Sequence, residues 1–382
     1  MFYNHLRRFL MPFLISFLSF LSADAQDNLA TKYNNSSIYT GIEVGSKGVK
    51  MSVIEIGKNA QSNGAFNILK DTAVNTDFIS FSQPTFSATL AAFCSLYSTA
   101  TNDYKIPSTR IFTVVSSGVK MQAQKDDKTN WVNNLIDSFR VKINEPGRKV
   151  EVVGVMKEAM LSHLGIVPDA RRYTTFLIDI GSGNTKGGFF PDGNTTNFKL
   201  FQLNWGTKST ANETEKRSTD DNALPNYSKQ LSRVLIAAEN SDIVYAVNES
   251  GAYPLSDNVA VSGGIAWAIA TLLHPEIIDN TIVSVSFKEV EKFNETLYKN
   301  FSSVSAASLS GSGASNEAKE SIEKEVSRVH KVFDQKSLMA GAGLLVKIMR
   351  QFESVFESKQ FFLVKNGQVG WVSAYVDQTV AK

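Results

Sequence analysis

Two acidic residues occupy corresponding points of a pattern that occurs twice in the chain. The first copy, Ile38 to Ile56, reads as a strand, a glycine-rich turn and a second strand, with Glu43 two residues before Gly45. The second, Thr175 to Phe190, repeats it with Asp179 two residues before Gly181, 136 positions after Glu43. The turns carry Gly45, Ser46, Lys47 and Gly48 in one case and Gly181, Ser182, Gly183, Asn184 and Thr185 in the other. Turns of this composition bring successive backbone N–H groups close to an anion, because glycine lets the main chain approach a phosphate. A carboxylate beside phosphates holds Mg²⁺ or positions an attacking water, and Glu43 and Asp179 are the candidates for both tasks. One such hairpin alone would read as an ordinary turn; its recurrence with the acid in the same place favours a site. A third turn, Ser262-Gly263-Gly264, opens a helix, where N–H groups and the helix dipole suit a phosphate, ribose or base. A tight strand-to-helix turn is the alternative there.

Other phosphate loops are excluded by spacing. A Walker loop requires G-x-x-x-x-G-K-[ST], which neither Lys47 nor Lys186 completes. Dinucleotide binding requires G-x-G-x-x-G opening a helix, whereas Gly181-Ser182-Gly183 runs into a strand.

The elements that must position these turns follow from periodicity. Ile111 to Val115 is a short strand ending in Ser116-Ser117-Gly118, Trp131 to Phe139 has helical spacing, Val150 to Val153 is strand-like, and Met156 to Leu164 is a helix leading to the second hairpin. Asn204 to Ser228 is polar and reads as a long surface loop or lid, before helical spacing over Tyr227 to Asn240. Val259 to Ser262 is a strand feeding the helix Ile265 to Leu273. Val304 to Ser315 is low-complexity and expected as a mobile loop, and Glu317 to Phe352 as a long helical region. The closing segment, with Asn366-Gly367 between apolar runs, carries a hairpin signal.

The chain has 382 residues, 39 Lys+Arg against 37 Asp+Glu, and one cysteine. A near-neutral balance argues against a duplex nucleic-acid partner, which calls for a clustered basic face. A single cysteine excludes an internal disulfide, and Cys94, in an apolar stretch, is expected to be buried and inert. The start, His5, Arg7 and Arg8, then the apolar run Phe9 to Leu21, then Ala23-Asp24-Ala25, predicts a cleaved export signal over 1–25 and no membrane association afterwards. The mature chain of 357 residues suffices for two domains, expected at 38–166 and 167–382 behind a flexible terminus at 26–37. An exported chain in a periplasm or secreted is therefore expected. Eight N-x-[ST] sequons would be modified only in a eukaryotic secretory route.

In this order the hairpin, crossing helix, second hairpin, Ser-Gly-Gly turn and late Ala-Gly-Ala helix resemble the actin, sugar-kinase and Hsp70 ATPase superfamily. Within it the chain is most similar to the exopolyphosphatase and guanosine-pentaphosphatase (Ppx/GppA) family. Val114 to Lys120 resembles the family's A-T-S-A-x-R strand end, Glu151 to Ile166 its E-x-I-S-G-x-E-E-A-R-L-x-x-x-G-V, and Val364 to Val372 its closing strand pair. The resemblance implies an α/β fold of two related actin-like ATPase (ribonuclease H-like) domains around a central cleft. It implies phosphate gripping by both hairpin turns, with Lys47, Gly263 and Gly264 contributing, metal at Glu43 and Asp179, and hydrolysis of a phosphoanhydride in polyphosphate or a phosphorylated nucleotide with Mg²⁺. A second copy of the chain is left open as a partner.

Three departures bear on catalysis. Glu43 stands where the family has Asp. The paired acids of the crossing helix are Lys157-Glu158, and the family's G-G-G-S-T-E is here Gly181-Ser182-Gly183-Asn184-Thr185-Lys186. Glu158 is thus the remaining candidate for a general base, with Glu43 or Asp179 helping to orient water. The alternatives are a catalytically impaired phosphate-binding protein of the same fold and a secreted apyrase-like nucleotidase. Lys120, Lys157 and Lys186 could hold phosphate by charge, His163 could titrate near neutrality, and Trp205 could face substrate or pack as core.

Overall fold

A computed structural model of the chain describes residues 29–57, 66–251, 256–353, 359–365, 367 and 370–380. The expected signal, 1–25, lies outside the described residues. Among the described residues no helix is long and apolar enough to cross a membrane.

The strands are β1 (Ser37–Val44), β2 (Gly48–Ile56), β3 (Phe66–Asn75), β4 (Ile111–Val115), β5 (Val150–Val152), β6 (Thr175–Ile180), β7 (Thr185–Phe189), β8 (Lys199–Leu203), β9 (Asn258–Ser262), β10 (Ile282–Val285) and β11 (Gln360–Val364). The helices are α1 (Gln83–Ser98), α2 (Ser117–Lys125), α3 (Thr129–Lys142), α4 (Val155–Ile166), α5 (Thr207–Lys216), α6 (Leu224–Ala238), α7 (Val244–Ser250), α8 (Gly264–Leu273), α9 (Phe287–Lys299), α10 (Ala306–Ser310), α11 (Asn316–Val332), α12 (Gln335–Phe352) and α13 (Gly370–Val380).

Two sheets share one plan. The first has the order β3-β2-β1-β4-β5 and the second β10-β11-β9-β6-β7-β8. In each, a hairpin and a third antiparallel strand (β1-β2-β3; β6-β7-β8) are extended by two parallel strands (β4 and β5; β9 and β11). The repeated pattern in the sequence is therefore a repeated fold, as expected, and the second copy adds β10 at its edge. Central strands with parallel neighbours are covered on both faces, which explains why Thr175–Ile180 is buried at every position.

Each sheet has its own core. Phe93, Leu135 and Phe139 from α1 and α3 pack on Ile42, Met51 and Val53. Phe176, Ile178, Val259 and Val261 pack against α8 and α12. Between the sheets runs a pair of helices. α4 lies against β7 and α13 against β1, and the two pack on each other. Their contact is close because both present glycine: a methyl on Gly165 would lie 2.0 Å from the Gly370 carbonyl oxygen, and one on Gly41 of β1 2.0 Å from Val372 Cγ1.

Four expectations are corrected. Val364 to Val372 is not a strand pair: β11 ends at Val364 and Gly370–Val380 is helical, because Trp371, Val372, Tyr375 and Val376 recur at the helical repeat and are all buried. Asn366 lies outside the described residues. Val304 to Ser315 is not wholly loop, since Ser305 accepts the Ser308 N–H to start the one-and-a-half turns of α10, and Leu309 packs on the core. Asn204 to Ser228 contains α5, whose buried face is made of Thr207, Thr210, Ala211 and Thr214, a pattern that hydrophobicity alone does not reveal. Within the segment expected to be flexible, Lys32 and Tyr33 donate their N–H groups to Glu55 at 2.7 Å and Ser36 its hydroxyl at 2.6 Å. The region Glu317 to Phe352 is helical as expected, but is two helices, parted at Phe333 and Asp334, with Asp334 capping α12 through the Ser337 N–H.

Candidate functional site

The two glycine turns are built alike. The Gly45 N–H donates to the Gly48 carbonyl at 2.8 Å, and the Gly181 N–H to the Asn184 carbonyl at 2.9 Å. Both glycines thus close their own turns. The N–H groups of Ser46, Lys47, Ser182 and Gly183 donate to no backbone carbonyl among the described residues, so these four, and not the glycines at the turn entries, are the donors an anion could meet.

The turns face one another across the start of α2. A methyl on Gly118 would lie 3.0 Å from both Ser46 Oγ and Asn184 Oδ1, and one on Gly183 would lie 3.2 Å from Ser46 Oγ. Three segments, the β1–β2 turn, the start of α2 and the β6–β7 turn, therefore meet where a side chain at Gly118 or Gly183 would crowd its neighbours. α5 is seated on the second turn: the Thr207 N–H donates to the Gly181 carbonyl and the Lys208 and Ser209 N–H groups to that of Ser182, satisfying the first donors of the helix. Thr185 donates its hydroxyl to the Trp205 carbonyl at 2.7 Å. At the third turn, Gly263 has φ +97°, and a methyl there would lie 2.2 Å from the Ile180 carbonyl oxygen; a side chain is excluded on both counts.

These turns line a cleft of about 1550 Å³. Lys47, Lys208, Lys324, Arg328 and Lys331 are among its cations. Lys47 Nζ donates to the Val332 carbonyl at 2.7 Å and lies 4.8 Å from the Phe333 ring centroid, joining the first turn to the α11–α12 junction. Lys208 pairs with Asp77 from the other side of the cleft. Burial pushes both ammoniums below the ordinary lysine value, and Lys47 pushes Lys208 down further. An anion between them would relieve both costs.

The acids are arranged differently from the expectation. Glu43, Glu158 and Asp179 all line the cleft and are all buried. Lys186 Nζ lies 2.9 Å from Glu158 Oε1 and 2.8 Å from Asp179 Oδ2, with its side chain only 6% exposed. The second oxygen of each acid is also taken. Glu158 Oε2 accepts the Ser117 N–H at 2.6 Å, and Asp179 Oδ1 accepts the Ser262 hydroxyl at 3.1 Å. Burial alone would lower the Lys186 ammonium; Asp179 and then Glu158 more than offset it and hold the charge firmly on lysine. Glu43 is raised above the ordinary carboxylate value, chiefly by burial, against the pull of Lys50.

A Mg²⁺ ion requires carboxylate oxygens free to face it. Of the two acids expected to hold it, Asp179 is paired with Lys186 and the Ser262 hydroxyl and Glu43 is buried against its own turn, and among the described residues no group of three or more His, Cys, Asp or Glu is placed to hold a metal. The donor set does not fit the ion that the resemblance implies.

The remaining candidates fall outside the cleft chemistry. Lys157 bonds Glu151 at 2.6 Å and lies over the Tyr375 ring. His163 is buried, bonds the Thr175 carbonyl at 2.9 Å, and is pushed down to about 4 by burial, so it is neutral core. Trp205 donates its indole N–H to Asp242 at 2.6 Å and packs on the core. The Cys94 thiol is partly buried, and burial raises it. Sequence reading missed Ser117 and Ser262 as partners of the acids. It also missed a signal for Lys186: with a four-residue turn, Asp179 must pair across the hairpin with Lys186, just as Glu43 pairs with Lys50.

Two related α/β halves, a five-strand and a six-strand mixed sheet each opening with a hairpin, meeting at a cleft lined by glycine turns with a packed helix pair between the sheets, define the actin-like ATPase class of fold. Solved structures share this fold. A Ppx/GppA family member from Aquifex aeolicus superposes with a TM-score of 0.60 at 15% identity, over 91% of this chain and 98% of that one. An exopolyphosphatase-like protein gives 0.58 at 13% identity, over 90% and 98%, and an exopolyphosphatase from Cytophaga hutchinsonii 0.52 at 11%, over 90% and 98%. The chain has the two-domain fold of these Ppx/GppA structures. No family model matches the sequence, and no curated protein matches it.

Proposed function

We propose that the chain binds a phosphate chain or a phosphorylated nucleotide in the cleft between its two sheets, and that its capacity to hydrolyse a phosphoanhydride is impaired. The observation that carries this reading is the pairing of Lys186 with both Glu158 and Asp179. A general base must take a proton from the attacking water, and Glu158 is already paired with the buried Lys186 ammonium at one oxygen and with the Ser117 N–H at the other. The features that would grip phosphate remain: the donors of Ser46, Lys47, Ser182 and Gly183, and the cleft lysines. The predicted leader 1–25 supports action outside the cytoplasm. Calorimetric titration with polyphosphate, pppGpp and ATP, alongside phosphate release over hours, tests it. Micromolar binding with negligible release is expected; multiple turnovers per minute would overturn it.

A second reading, favoured by Glu43, is a slow hydrolase. Burial raises the carboxyl of Glu43 above the ordinary carboxylate value, which makes its carboxylate the stronger base. In that case the residual release disappears in Glu43→Gln and persists in Glu158→Gln.

A further inference from the structure

We propose that Lys186 supplies, from within the chain, the positive charge that a divalent cation would supply between Asp179 and Glu158, so that the cleft takes phosphate anions in their metal-free form. This rests on the phosphate-binding reading above.

Four observations converge on it. Lys186 Nζ bridges carboxylates from two different elements, the end of β6 and the first turn of α4, at 2.8 and 2.9 Å. Its site is built, since the outer oxygens are fixed by the Ser117 N–H and the Ser262 hydroxyl, which orient both acids toward the ammonium. The hairpin register dictates its position, because Lys186 is the direct cross-strand partner of Asp179. Finally, Nζ stands beside the second phosphate turn, where a methyl on Gly181 would lie 3.7 Å from it. An ammonium has three donors, of which the two acids take two. The charge that accompanying Mg²⁺ would bring to the phosphates is provided instead by Lys47 and Lys208 across the cleft. A Mg²⁺–phosphate complex arrives with that charge already neutralised, and with an ion whose place between Asp179 and Glu158 is taken by the Lys186 ammonium.

The test uses the full chain with polyphosphate of defined length, titrated in EDTA and in excess MgCl₂ at matched ionic strength. Affinity in Mg²⁺ is expected to equal that in EDTA or to fall about threefold or more; tightening beyond threefold on adding Mg²⁺ overturns the proposal. Binding in neither buffer overturns the phosphate reading and this one with it. Direct titration with Mn²⁺, followed by electron paramagnetic resonance without any phosphate, is independent of that reading: the wild type should leave the free-ion signal unchanged, and one-to-one uptake abolished by Asp179→Asn would overturn the proposal. Lys186→Gln should gain a Mn²⁺ site. A folded Lys186→Gln chain that takes up no Mn²⁺ contradicts the assignment of the metal's place to Lys186, and if that variant does not fold the wild-type titrations still decide.

Discussion

Lys186 and Lys50 hold the same place in the two hairpins, each directly across from the acid that precedes the turn, Asp179 and Glu43 respectively. Their surroundings separate them. Lys186 is buried between two carboxylates, whereas Lys50 is half-buried and Glu43 curls back over its own turn, its Oε1 3.2 Å from where a methyl on Gly45 would sit. One architectural repeat has thus been closed by an internal ion cluster, and the other has not.

Removing one member of a buried ion cluster leaves the others uncompensated. Lys186→Met should destabilise the chain by about 3–5 kcal/mol, because Glu158 and Asp179 remain buried without a counter-charge. Urea unfolding of Lys186→Met, Glu158→Gln and the double variant measures this. The expected coupling between the two sites is well above ~0.5 kcal/mol, and additive effects would show that the contact carries no energy.

Acid should weaken the fold through His163. Its imidazole is held neutral in the native state, at about 4, against an unfolded value of about 6.5. The unfolded chain therefore binds the proton more tightly, so this contribution is whole above pH ~6.5 and is lost as the pH falls toward 4, amounting to about 3 kcal/mol. Chemical denaturation between pH 7 and 4 should show the loss, and His163→Gln should flatten it by a comparable amount. An unchanged pH profile in that variant would place the titration elsewhere.

The seam between α4 and α13 tolerates no side chain at Gly165, where a methyl would meet the Gly370 carbonyl. Gly165→Ala raises intrinsic helix propensity by up to ~1 kcal/mol, yet the overlap at 2.0 Å forces the helices apart. A net loss of ~1–3 kcal/mol is expected. Thermal melting decides the sign, and a stabilised variant would show that the two helices separate freely.

Lys47 and Lys208 reach the cleft from opposite halves and should share the ligand's charge. Each Lys→Ala change should weaken polyphosphate binding and lower the slope of log K against log salt by roughly 0.7–1. Lys157→Ala, a lysine paired with Glu151 outside the cleft lining, serves as the comparison and should leave the slope unchanged. Equal slopes for all three variants would remove the cleft lysines from the site.

The sequence alone determined a good deal. The twice-repeated hairpin with its acid two residues before glycine follows from local periodicity and turn chemistry, and it carried the fold class. The crossing helix and the Ser262-Gly263-Gly264 turn were legible for the same reason. What local pattern could not supply was partnership. That Glu158 and Asp179 meet one ammonium depends on α4 and β6, which hydrogen bonding and packing bring together from separate segments. The threonine-lined face of α5 is buried only because the second turn seats it. Trp371 to Val376 form a helix, not a strand, because the space between the sheets admits one beside Gly41 and Gly165. Residue types set which groups could bind phosphate or metal; tertiary structure decided which of them were already paired, since a carboxylate held by a buried ammonium gains less from a metal ion or from the proton of a water.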